Sequence, residues 1–166
     1  QVFYQDIFQI VDAGPAERRD VLDWGMFHVK HSYLDLMKQY RRGLKQRNSL
    51  LKFESRRSMY RPWDRQLSEL SGEIDRLRQA YLQDLQPLFT KVLGQISDLE
   101  CTIQYYRGWG KQNDESTLES TFEDTWEGDR QYQYTRYGPH HAELTFLSTN
   151  FRVKQYFSRG QQKLLL

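Results

Sequence analysis

These 166 residues contain a single cysteine, Cys101, so no disulfide can form within the chain, and that usage fits a reducing compartment. No apolar run approaches the roughly 20 residues that span a bilayer, and no signal-peptide pattern stands at the start, so the expected location is cytoplasmic. A glycine-rich loop ending in Lys-Ser/Thr is missing, as is an apolar strand ending in paired acids. Nothing here would therefore cradle nucleotide phosphates or hold magnesium and an attacking water. His28 and His31 stand three apart, but a zinc site would need them to converge with the distant His140, His141 or Cys101; polar surface and turn positions account for them better. Glu123, Asp124 and Glu127 fall on one short amphipathic stretch and read as its wet face. No Ser/His/Asp arrangement for nucleophilic chemistry is evident. The chain does not begin with Met and stops at Leu164-Leu165-Leu166, inside what reads as the start of a buried helix. An excerpt of a longer protein is the expectation.

Aromatic residues are not scarce. At 14% they argue against disorder despite a mean hydropathy of −0.85. Charge is present but segregated. Residues 38–65 hold ten Lys/Arg against Glu54 and Asp64, which is +8 in a chain of net +2, so the remainder carries −6. Such asymmetry bears on partners rather than on fold.

Pro15 after Gly14 predicts a helix over 16–27. From Val29 to Phe53, Tyr33, Leu36, Met37, Tyr40, Leu44 and Leu51 recur at helical spacing. Lys38, Arg41, Arg42, Lys45, Lys52 and Arg56 cluster opposite them. One face packs; the other is a basic stripe, either a solvated face or a surface for nucleic-acid phosphates. A turn over Ser58–Pro62 leads to a second helix with a near-heptad seam of Leu67, Leu70, Ile74, Leu77, Tyr81, Leu85, Leu88 and Val92. Two such helices joined by a short turn predict an antiparallel hairpin, in which Pro87 should kink the second helix or end it early. Beyond Gly94, alternation predicts strands over 99–105, 131–137, 142–148 and 152–156, with a hairpin turn at Thr149-Asn150 and a short helix over 115–128. Residues 1–12 read as an edge strand and turn.

The most telling string is Phe157-Ser158-Arg159-Gly160-Gln161, just before Lys163-Leu164-Leu165-Leu166. A Ser hydroxyl, a close-approaching Gly backbone and a helix N-terminus make an anion site. The string resembles the signature motif with which one ABC-type ATPase head caps a nucleotide held by another. Further stretches make the match specific: Gly14-Pro15 with Arg18-Arg19, Leu22-Asp23-Trp24-Gly25, Leu44-Lys45-Gln46-Arg47-Asn48, Arg61-Pro62-Trp63-Asp64, Asp129-Arg130-Gln131 and Gly138-Pro139-His140. In this order they resemble the RecF family of bacterial recombination-repair ATPases, whose heads are SMC-like, between its Q-loop and its signature. Phe157, His141 and Glu143 depart from the family's more usual residues.

The resemblance implies a mixed α/β, predominantly helical fold, with a helical hairpin inserted in an ABC-type head and antiparallel strands following. Residues 1–27 would end the first head segment, 28–95 form the arm, and 96–166 begin the second head segment. It further implies Ser158, Arg159, Gly160 and Gln161 as ATP-binding residues acting in trans, and Gln1 as the Q-loop glutamine. The implied cofactors are ATP and Mg²⁺ in the full-length protein. The implied partners are double-stranded or gapped DNA, a second copy in an ATP-dependent homodimer, RecR, and RecO and RecA in the same pathway, in the cytoplasm at the nucleoid. DNA-contact candidates are the stripe residues Lys38, Arg41, Arg42, Lys45, Lys52 and Arg56, together with Arg18 and Arg19, for which salt bridges between lobes are the competing use. No metal-binding residue and no catalytic residue is expected in this stretch, which alone should not hydrolyse ATP. Another SMC-like head would carry a longer coiled-coil arm. A free-standing helical interaction module would show no salt-dependent affinity for DNA.

Overall fold

The computed structural model describes residues 14–53, 56–110, 116–148, 151–153 and 158. Helix α1 spans Pro15–Val29, with Pro15 in its first turn and the Lys30 N–H closing the last turn on the Met26 carbonyl. Helix α2 (Ser32–Phe53) and helix α3 (Arg61–Ile96) form the long hairpin, joined through a 3₁₀ turn at Arg57–Met59. As α2 runs forward from Tyr33 to Arg47, its partners on α3 run back from Arg78 through Leu67 to Asp64, so the pair is antiparallel. Gly43 permits the close approach: a Cβ there would stand 3.2 Å from Leu67 Cδ2. Buried Tyr33, Met37 and Tyr40 of α2 share one core with buried Leu67, Ile74 and Leu77 of α3, the side the helical spacing selects.

Of the two outcomes expected at Pro87, a kink or an early end, the early end does not occur: α3 continues to Ile96. Proline removes one helical hydrogen bond, and here the turn is held from outside: Gln86 Oε1 accepts from the Ile103 N–H at 2.7 Å, while Phe89 and Leu93 pack with Cys101, Phe146 and Val153. The apolar seam also shifts. Leu88 and Val92 are 61% and 57% exposed, whereas Leu82 and Leu93 are buried and Phe89 packs beside Leu93. A straight helix drifts about 20° per heptad, so three heptads beyond Leu67 the drift is about 60°, more than half the roughly 100° between successive residues, and Phe89 faces inward in place of Leu88.

Among the described residues three strands follow: β1 (Thr102–Tyr106), β2 (Glu143–Ser148) and β3 (Phe151–Arg152). They form an antiparallel sheet in that order, with Ile103 opposite Phe146 and Leu147 opposite Arg152. Between β1 and β2 lies α4 (Leu118–Tyr132), capped by Thr117, whose side chain accepts from the Ser120 N–H. Leu118 and Phe122 are buried in the main core with the α2–α3 residues, Trp109 and Leu144.

The strand expected over 131–137 does not form. Helix α4 runs to Tyr132, stops at left-handed Gln133 (φ 60°), and turns follow. Side chains take up the backbone donors that a strand partner would have used: Asn48 Oδ1 accepts from the Thr135 N–H and Asp129 Oδ1 from the Arg136 N–H. Gly138 then adopts φ 137°, where a Cβ would meet the Tyr40 hydroxyl at 2.5 Å. The readings over 1–12, at Thr149-Asn150 and over 154–156 lie outside the described residues. The architecture is otherwise as the resemblance implies, predominantly helical with a small antiparallel sheet.

Candidate nucleic-acid interface

Helical periodicity places Arg41, Lys45 and Lys52 along one side of α2. With Leu44, Asn48, Ser49 and Phe53 they line an open groove of about 530 Å³. The other stripe residues, Lys38, Arg42 and Arg56, are also exposed; Lys38 lies 3.3 Å from Asp35. The structure thus gathers three of the six stripe cations into one concave surface and leaves three flanking it. Phe53, at its end, is 87% exposed.

Not all the positive charge of residues 38–65 faces water. Arg47 has 0% of its surface exposed and joins three elements: Nε donates to Asp64 Oδ1 at 2.7 Å, and Nη1 donates to Asp129 Oδ2 and Thr135 Oγ1, both at 2.8 Å. Its guanidinium lies 3.9 Å from the centre of the Phe122 ring. Arg57 donates to the other Asp64 oxygen, and Arg136 to Asp129 Oδ1. Composition alone could not separate this buried network from the stripe. A phase signal was present, because Arg47 falls seven residues after Tyr40 and four before Leu51, on the apolar side of α2.

A second polar centre ties α1, the hairpin and the Pro139–His141 turn together. Arg78 donates from Nη2 to Asp23 Oδ1 (2.7 Å), from Nε to the Tyr33 hydroxyl (2.8 Å) and from Nη1 to the Pro139 carbonyl (3.0 Å). Burial opposes its charge, but Asp23 and Tyr33 outweigh burial and raise its pKa. The ring of His140 lies 2.6 Å from the Tyr40 hydroxyl through Nδ1 and 3.0 Å from the Thr135 carbonyl through Nε2. A carbonyl can only accept, so Nε2 carries the proton and Nδ1 accepts from Tyr40. Burial is the chief reason the His140 pKa falls to about 4; His141 and Arg19 push the same way, against the Thr135 carbonyl.

Arg18 and Arg19 turn toward β2. Arg18 is buried and donates to Glu143 Oε1 at 2.9 Å, and Arg19 donates to the Ala142 carbonyl at 2.8 Å. They fasten α1 to the sheet rather than extending the basic surface. Only Arg18 makes an ion pair, with Glu143 rather than Asp23; the Arg19 contact is to a backbone carbonyl. Ser158 is exposed; Arg159, Gly160, Gln161 and Gln1 lie outside the described residues. Among the described residues no group of three or more His, Cys, Asp or Glu could hold a metal, and no helix is long and apolar enough to cross a membrane.

No protein-family model matches the chain. Individual proteins match it along its whole length. The DNA replication and repair protein RecF of Pseudomonas fluorescens is 36% identical over 168 residues, covering all of this chain and 45% of that protein. That of Stutzerimonas stutzeri is 37% identical over the same span. This chain is a RecF-like segment. Solved structures agree: the recombination mediator protein RecF with ATP, in the RecFOR pathway, superposes with a TM-score of 0.90 at 26% identity, covering 98% of this chain and 46% of that one. A second RecF structure, with ATPrS, gives 0.91. The RecF-like chain therefore spans a little under half the length of the relatives it matches.

Proposed function

We propose that this chain is the arm and part of the head of a RecF-type ATPase that acts on DNA in recombinational repair, with the groove on α2 as a DNA-contact surface. The observation that carries the reading is that three cations, Arg41, Lys45 and Lys52, converge with Asn48 and Ser49 in one open groove of a RecF-like chain. Cations contact phosphates and release counterions, while amide and hydroxyl groups bond phosphate oxygens. The network around Arg47 holds the groove-bearing helix rigidly on α3 and α4, so the cations are presented by a fixed scaffold.

Ser158, with Arg159, Gly160 and Gln161, is proposed to cap the nucleotide of a second copy, which makes the dimer ATP-dependent. The exposure of Ser158 suits a contact made in trans. ATP with Mg²⁺ supplies the phosphate that joins the two copies. By the resemblance, the Ser158 hydroxyl and the Gly160 backbone N–H would be donors to that phosphate. Gln1 is assigned to the Q-loop of the same protein. RecR is the expected direct partner, with RecO and RecA in the pathway, at the nucleoid.

Charge reversal tests the groove. In the full-length protein with ATP and magnesium, Lys45→Glu should weaken duplex affinity about tenfold or more. It should also flatten the dependence of log K on log salt by about 0.9 for the phosphate contact it removes. Fluorescence anisotropy across a salt series reads both. Unchanged affinity and slope would return the stripe to a solvated face.

A further inference from the structure

Where the hairpin meets the sheet, three buried polar atoms have no hydrogen-bond partner among the described residues: Ser71 Oγ, Asp75 Oδ1 and the Tyr105 hydroxyl. Ser71 has 0% of its surface exposed and Asp75 only 8%. The two stand one turn apart on α3, so their side chains share a face of that helix. A helical serine often returns its hydroxyl to the carbonyl four residues back, and Ser71 does not. Asp75 is half engaged, its Oδ2 accepting from Gln79 Nε2 at 2.9 Å. Tyr105 comes from β1. Its hydroxyl lies beside Asp75 and Arg78, near enough for their charges to act on it in opposite senses, yet it bonds neither. Ser71 in turn stands beside the Tyr40 hydroxyl, whose own hydrogen goes to His140 Nδ1.

A buried donor or acceptor left alone costs its full desolvation, and here three such atoms cluster from two elements. Their capacities fit one small molecule. The carboxylate oxygen only accepts, while each hydroxyl can donate or accept. A water among them donates to Asp75 Oδ1 and to one hydroxyl oxygen, and accepts from the other hydroxyl. Three bonds are typical of water inside a protein. Arg78 does not fill this role, because its guanidinium is committed to Asp23, Tyr33 and the Pro139 carbonyl. We propose that Ser71, Asp75 and Tyr105 bind one ordered water molecule, which ties the hairpin to the sheet. It adds a second polar link between α3 and β1 to the one that Gln86 makes with the Ile103 N–H. The link does not depend on what the α2 groove binds.

The sign of a stability change tests this in the full-length protein. Tyr105→Phe would raise the urea midpoint if the hydroxyl were an orphan, and should lower it if the hydroxyl holds a water. Ser71→Ala also changes helix propensity, so it enters only through the double variant. The loss caused by Tyr105→Phe should shrink when Ser71 is already alanine, because both changes act on one molecule. A crystal structure of the full-length protein should show a density peak within hydrogen-bond distance of all three atoms, unaltered when rubidium replaces sodium. A midpoint that Tyr105→Phe leaves unchanged or raises, or a loss of the same size in both backgrounds, would overturn the water. So would a direct bond between Tyr105 and Asp75 with no peak between them, or a peak that grows with rubidium and is therefore a cation.

Discussion

Arg47→Ala should lower the unfolding free energy by about 3–5 kcal/mol, the range for breaking a buried charge pair by removing one partner. Its side chain is fully buried and bonds Asp64 and Asp129, which are themselves shut off from water. Truncation leaves two buried carboxylates facing a hole. Arg57 and Arg136, both partly exposed, still reach them, but on the oxygens that Arg47 does not use. Against a typical domain stability of about 5–15 kcal/mol, a loss of that size brings the chain close to unfolding. Arg47→Lys should restore only part of it, because an ammonium cannot reproduce the planar fork that serves Asp64, Asp129 and Thr135 at once. Urea denaturation measures the change; a loss under about 1 kcal/mol for the alanine variant would show that the network is not what joins α2, α3 and α4.

Acid should weaken the fold through His140. Its folded pKa is held at about 4, below its ordinary value of 6.5, so the unfolded chain takes up a proton first as pH falls. The stabilisation is complete above about pH 6.5 and is lost as pH drops toward 4, a span worth about 3 kcal/mol at 1.36 kcal/mol per unit. Protonating Nδ1 would make it a donor, and the Tyr40 hydroxyl, which now donates to it, would have to turn its hydrogen elsewhere and accept. His140→Gln, compared with the unaltered chain by urea midpoints at pH 7 and pH 4, should show a distinctly smaller loss between the two. His141, whose pKa burial also lowers, remains in both proteins and cancels in the comparison. An identical pH dependence in the two would move the acid sensitivity elsewhere.

The hairpin was legible in the sequence because both helices obey one rule, an apolar stripe with polar residues opposite, and Tyr33, Tyr40, Leu67 and Ile74 sit where that rule puts them. Legibility failed where a tertiary partner outweighed a local preference. Pro87 is tolerated because the chain around it is held from β1 and the second apolar cluster, neither of which is visible in local sequence. Leu88 and Val92 are exposed because a 3.6-residue helix leaves a 3.5-residue pattern behind. The alternation over 131–137 resembled a strand, but Asn48 and Asp129, distant in sequence or on the previous helix, claim its backbone donors. For the candidate site, the stripe could be read as a pattern, and its concavity could not. Ser49 and Phe53, which shape the groove, carry no charge to mark them, and Arg47 carries one that is spent inside.

The groove is the centre of this account, and site-specific photocrosslinking tests it most directly. A benzophenone side chain replacing Ser49, on the groove, and another replacing Glu123, on the exposed face of α4, would be irradiated with DNA bound to the full-length protein in ATP and magnesium. The account predicts protein–DNA adducts from position 49 and none from position 123, with the adducts fading as salt displaces the cations from phosphate. Adducts from position 123 with none from position 49 would contradict it and place the DNA on another face of the molecule.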